Sequence, residues 1–182
     1  MLSVVLIRRR RQSDVDPLLE MALLVKKLDG YPPRGPLDEA SFIAPPQELA
    51  AWVAEIGSTV LGHVALHGTG ANDAVRLAAR HTGKSPEDLA MVARVLVSPT
   101  ARRIGVGHAL LETAVDGAHE RGAQPILDVA THLRGAISLY ESCGWDRAGE
   151  VTIEVPNEPD LQCYVYVGPP PTDKSADAVT KR

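Results

Sequence analysis

Apolar residues recur along this chain with two different periods, and the switches between them lay out its elements. Ser3 to Arg8 is apolar and β-branched, which predicts a first strand. Val15, Leu18, Leu19, Ala22 and Val25 then recur at helical spacing, with Ser13 or Asp16 placed to cap, Pro17 near the first turn and Gly30 placed to stop the helix. The prolines and glycine of Tyr31 to Pro36 exclude regular structure, and Leu37 to Ile43 suits a short turn or helix. Leu49 to Ile56 and Thr59 to Leu66 are strand-like runs joined by Gly57-Ser58, a hairpin spacing. A helix is expected from Asn72 to Arg80. Gly83 would stop it, and Ser85 and Pro86 would open a further short turn, so residues 68 to 89 read as an insertion between strands.

The second half is more regular. Met91 to Val97 predicts a central strand, His108 to Arg121 a helix ended by Gly122, and Pro125 to Val129 a buried strand. Arg134 to Ser142 predicts a helix stopped by Gly144, and Trp145 to Val151 and Leu161 to Val167 two closing strands. The expected fold class is α/β: a mixed, mostly antiparallel sheet with helices on both faces.

At 182 residues and 45% hydrophobic, the chain suits one domain, expected over residues 1–168, with 169–182 a disordered tail. A net charge of -4 and 4% aromatic residues argue against nucleic acid as a partner. No run reaches the roughly 20 apolar residues that a membrane span needs, and Leu2 to Ile7 is too short for a signal peptide. Cys143 and Cys163 form no metal or disulfide pattern and read as reduced thiols in a cytoplasmic protein.

Chemistry concentrates between residues 91 and 145. A strand runs into Arg102-x-x-Gly105-x-Gly107 and then into a helix. Glycine lets the main chain approach an anion, and the helix start adds about half a positive charge, so the amides of residues 103 to 108 are placed to hold a pyrophosphate. Arg102 or Arg103 would add charge. A dinucleotide fingerprint fails because Leu110 stands where its third glycine belongs. Gly83-Lys84-Ser85 fails as a phosphate loop because Ala78 replaces its first glycine.

Arg102-x-x-Gly105-x-Gly107, followed by Leu139-Tyr140-Glu141-x-x-Gly144-Trp145, resembles the signature of GNAT-family N-acetyltransferases. Trp145 stands in place of the usual Phe, and Leu133 in place of a usual cofactor-contacting Asn. The resemblance implies acetyl-CoA as co-substrate and direct transfer to a primary amine, borne by a small molecule or a protein. It implies that strands four and five splay apart. The edge from Val95 through Leu96 to Val97 would then face the pantetheine arm, and Arg102, Arg103, Ile104, Gly105, Val106, Gly107 and His108 the phosphates. It also makes Tyr140 the acid for the departing thiolate, since a phenol with a pKa near ~10 keeps its proton at neutral pH.

The base is not evident, because Arg94 is the only charged residue of the fourth strand. Glu55 is one candidate, with His63, His67 and His132 as others. Tyr31 and Arg34 lie where such proteins often build an acceptor pocket, Arg34 suiting a carboxylate or phosphate. A second class of function stays open: a GNAT-shaped module that binds acyl-CoA without catalysis. Monomer and homodimer both remain open as well.

Overall fold

In the computed structural model, which describes residues 4–32, 39–154 and 159–171, one sheet holds seven strands. They are β1 (Leu6–Arg9), β2 (Glu48–Ile56), β3 (Thr59–Gly68), β4 (Leu89–Val97), β5 (Gln124–Ala130), β6 (Asp146–Ile153) and β7 (Leu161–Val167). The helices are α1 (Val15–Asp29), α2 (Ala40–Ile43), α3 (Asp73–Thr82), α4 (Val106–His119) and α5 (Arg134–Ser142). Spatial order is β1-β2-β3-β4-β5-β7-β6. Every neighbouring pair is antiparallel except β4 with β5. The expected mixed, mostly antiparallel sheet with flanking helices is present.

Strand alternation sends side chains to two faces. On one face Trp52, Val64, Val92, Leu127 and Val129 pack against Leu110, Leu111 and Ala114 of α4. On the other, Val53 and Leu96 meet Leu18, Ala22, Phe42 and Ile43 of α1 and α2. Farther along that second face, Leu89, Ile126 and Val165 lie under Ala74, Val75 and Ala78 of α3. Each fully buried aliphatic side chain there contributes about 1.5–3 kcal/mol relative to exposure. The insertion is therefore not an excursion: its helix completes the core over the sheet's far end.

Local chemistry corrects the expected helix starts. Neither Ser13 nor Asp16 caps α1. A 3-10 turn at Gln12–Asp14 precedes it, and the Asp14 carboxylate accepts the Arg11 amide at 2.6 Å and the Arg8 guanidinium at 2.7 and 2.9 Å. A charged partner on β1 outcompetes a neutral serine for the turn. Helix α4 begins at Val106 rather than His108, because Gly105, at φ 87°, takes a left-handed turn into it. At the C-terminal end, Gly168 exchanges hydrogen bonds with the Pro125 carbonyl and the Gln124 amide, and the expected tail lies outside the described residues from 172 onward.

Candidate active site

The parallel pairing of β4 and β5 covers only Leu89–Gln124, Ala90–Pro125 and Met91–Ile126. Beyond Met91 the strands part. A cause lies on β4: between His63–Leu96 and Ala65–Ala93 the pairing with β3 gains one residue on β4, and Arg94 sits there at φ 54°. This bulge bends β4 away from β5. The gap opens into a cleft of about 970 Å3, walled by Val95 and Val97 on one side and by Asp128, Ala130 and the first turns of α5 on the other.

The loop before α4 closes one end of the cleft. The first main-chain hydrogen bond into α4 is Ala109 N–H to Gly105 O at 3.0 Å. The amides of residues 102–105 meet no main-chain carbonyl among the described residues, and those of 106–108 belong to the first helical turn, where donors have no partner within the helix. Arg103 at φ 61° and Gly105 at φ 87° both take left-handed conformations, of the kind found where successive N–H groups form an anion-binding turn. Gly107 serves packing instead. A Cβ there would lie 2.9 Å from Leu139 Cδ2, so its absence lets α4 and α5 approach at the loop.

Several polar side chains border the middle of the cleft: Tyr31, Arg94, Asp128 and Tyr140. Tyr140, on α5, packs against Trp145 and Tyr166 at ring-centroid distances of 6.1 and 6.2 Å. Burial drives its phenol pKa well above the ordinary value, with the negative charge of Asp128 adding to the shift. Arg94 donates from Nε to the Phe42 carbonyl at 2.7 Å and stacks over the Phe42 ring at 4.2 Å, which fixes its guanidinium on the α1–α2 face. Tyr31 follows the left-handed Gly30 that ends α1, and burial raises its phenol too, opposed by nearby Arg94. Asp128 is exposed toward the cleft, and the protein packed around it still raises its pKa by desolvation, opposed in part by Arg94.

The other residues singled out in the sequence fall in three groups. Arg102, Arg103, Gly105, Val106, Gly107 and His108 line the cleft, as do His132 and Arg134. Arg102 also pairs with Asp29 at the end of α1, which ties the loop to that helix, and His108 Nε2 lies 3.1 Å from Ser142 Oγ. Ile104 projects outward, and Leu96 turns its side chain into the α1 core, so either would act through its main chain. Glu55 is not brought to the cleft: Arg8 holds its carboxylate at 2.7 Å in a network that includes Asp14. His63 and His67 are buried in the sheet at 0% and 5% exposure. Leu133 is buried in the core, which accounts for an apolar residue there, and Arg34 lies outside the described residues. Sequence reasoning passed over Asp128. A lone carboxylate between Leu127 and Val129 in an otherwise apolar strand was the available signal.

Residues 19–145 match the acetyltransferase (GNAT) family, and the chain belongs to that family. Among solved structures, Arabidopsis thaliana NAA60 in complex with a bisubstrate analogue superposes with a TM-score of 0.69 at 18% identity, over 90% of this chain and 97% of that one. The same enzyme in complex with acetyl-CoA gives 0.68 at 18% identity, over 90% and 97%. The Escherichia coli ribosomal-protein-S18-alanine N-acetyltransferase gives 0.65 at 17% identity, over 91% and 94%. These likenesses define the fold. No curated protein matches by sequence.

Proposed function

We propose that this protein transfers an acetyl group from acetyl-CoA to a primary amine, on a small molecule or a protein, with both substrates bound together. The observation that carries this reading is the run of amides from residue 102 to residue 108, at the end of the β4–β5 cleft, that meet no main-chain carbonyl among the described residues. The cradle suits a diphosphate by charge and by donor geometry. The gap beside Val95 and Val97 suits an extended arm that adds to the free edge of β4.

Bound acetyl-CoA supplies an activated thioester carbon open to attack by nitrogen. The chain's own groups do the rest. A β4 main-chain N–H near Leu96 polarises the thioester oxygen and stabilises the charge that develops on it. Tyr140, kept protonated by its burial, gives its proton to the leaving sulfur. Tyr31 borders the acceptor's side. Cys143 and Cys163 are not disulfide-bonded, which fits a cytoplasmic setting, and among the described residues no helix is long and apolar enough to cross a membrane.

The test is thiol release from acetyl-CoA with a panel of small amines and peptides, alongside calorimetric CoA binding. Amine-dependent release is expected. Binding of CoA with no release on any acceptor would instead establish a non-catalytic acyl-CoA module.

A further inference from the structure

We infer that Asp128 is the catalytic base of this site: its carboxylate receives the acceptor's ammonium group and takes the proton that must leave before nitrogen can attack. The inference rests on the acetyl-transfer reading above.

The placement follows from register. Asp128 pairs with Val165 of β7 on one side, while the β4–β5 pairing on its other side has already ended at Met91–Ile126. Extending that register would set Asp128 opposite Ala93, where β4 has departed. The residue thus stands at the edge of the split, with one flank open to the cleft. Alternation assigns it to the face of Ile126, the α1–α3 side, whereas Leu127 and Val129 face α4. Arg94 is fixed on that same side by Phe42. The Asp128 side chain is exposed at the cleft, so the ammonium of an acceptor entering the gap can reach it.

Four groups from other elements border the same space: Arg94 from β4, Tyr31 from the turn after α1, Tyr140 from α5 and His132 from the turn before α5. Desolvation raises the Asp128 pKa, opposed in part by the nearby Arg94 charge. Of the rival candidates, His132 borders the cleft from the turn before α5, and the other three do not. Glu55 is tied to Arg8, and His63 and His67 are sealed within the sheet.

The proton balance closes. Asp128 takes one proton from the ammonium. The free amine then forms the C–N bond as the C–S bond breaks, the sulfur takes the Tyr140 proton, and the second nitrogen proton returns to the Tyr140 oxygen. Asp128 releases its proton to solvent through the open cleft.

The experiment compares wild type with Asp128→Asn and Asp128→Glu, using acetyl-CoA with a strongly basic alkylamine and with a weakly basic one such as methoxyamine. CoA binding by calorimetry and the Asp128 carboxyl titration by carbon-13 NMR are read in parallel on the protein alone. The expected results are unchanged CoA binding, a fall in kcat/KM of about 100-fold or more for the alkylamine in Asp128→Asn, a much smaller fall for methoxyamine, and partial retention in Asp128→Glu. The Asp128 carboxyl should titrate above the ordinary aspartate range. An active wild type with an equally active Asp128→Asn overturns the base assignment alone. A wild type that binds CoA yet acetylates no amine overturns the acetyl-transfer reading and the base with it. Should Asp128→Asn fail to fold, an Asp128 titrating at or below the ordinary range, or an Asp128→Glu that loses the basic and the weakly basic acceptor equally, overturns the assignment.

Discussion

The imidazole of His63 donates from Nδ1 to the carbonyl of Arg94 at 2.9 Å, so a buried side chain of β3 pins the bulge that parts β4 from β5. In the neutral ring this bond selects the Nδ1–H tautomer, and burial is what disfavours the charged form. His67, four residues on and on the same face of β3, is buried as well. Burial lowers both pKa values to about 4. Between the ordinary value near ~6.5 and about 4, the unfolded chain therefore binds more protons than the folded one. Stability is complete above that ordinary value and declines as pH falls through this window, by up to about 3 kcal/mol per histidine. Urea midpoints at pH 7 and pH 5 should show the decline, and the double variant His63→Gln/His67→Gln should flatten it.

The two glycines of the loop should fail differently. Gly105 meets nothing within 4 Å where a Cβ would stand, but its φ of 87° strains any other residue. Gly105→Ala should therefore cost about 1–2 kcal/mol in loop conformation and weaken CoA binding roughly tenfold, a Kd change that calorimetry reads. Gly107 is not at positive φ, yet its Cβ would press on Leu139. Gly107→Ala should lower Tm by a few degrees, corresponding to about 1 kcal/mol. Trimming Leu139 to Ala in the same chain should recover part of that loss relative to the two single variants, a coupling that a double-mutant cycle measures.

Glu55 is tied into the frame that joins β1 to β2. Its carboxylate and that of Asp14 share the Arg8 guanidinium, with all three side chains largely shielded from water. The Arg8 partner holds the Asp14 pKa below the ordinary value, so that part of the network is lost as pH falls through the depressed pKa and is fully present above the ordinary one. Glu55→Gln should leave kcat/KM within about twofold of wild type while lowering the denaturation midpoint, since one partner of a shielded pair is removed. A tenfold fall in kcat/KM with CoA binding intact would return Glu55 to the site.

How far these features were legible in the sequence depends on range. The strand–loop–helix from Met91 to His119 and the helix carrying Tyr140 were readable because glycines and apolar periods are local signals. The start of α1 was not: the Asp14–Arg8 pair spans a strand and a turn, and residue preferences alone point to Ser13 or Asp16. The surroundings of each carboxylate were hidden for the same reason in stronger form. Glu55 and Asp128 look alike as single carboxylates, and only the pairing of β1 with β2 and the parting of β4 from β5 distinguish a tethered one from one facing the cleft. The bulge at Arg94 carries no glycine or proline to announce it, and His63, which fixes it, lies 31 residues away.

Tyr140 offers the clearest separation of binding from chemistry. Its ring is packed by Trp145 and Tyr166, contacts that phenylalanine keeps, so Tyr140→Phe should fold normally and bind CoA as wild type does. What it loses is the hydroxyl proton. The rate should fall about 100-fold at saturating substrates, with KM values little changed, because a general acid acts on the leaving group and not on ground-state binding. Burial raises the phenol pKa, so the wild-type profile should show no falling limb from this group up to pH ~10. A thioester with a more acidic leaving thiol needs less help at sulfur and should narrow the gap between the two proteins. Equal rates for Tyr140→Phe and wild type with acetyl-CoA would leave the sulfur to be protonated by solvent and would remove Tyr140 from the chemistry.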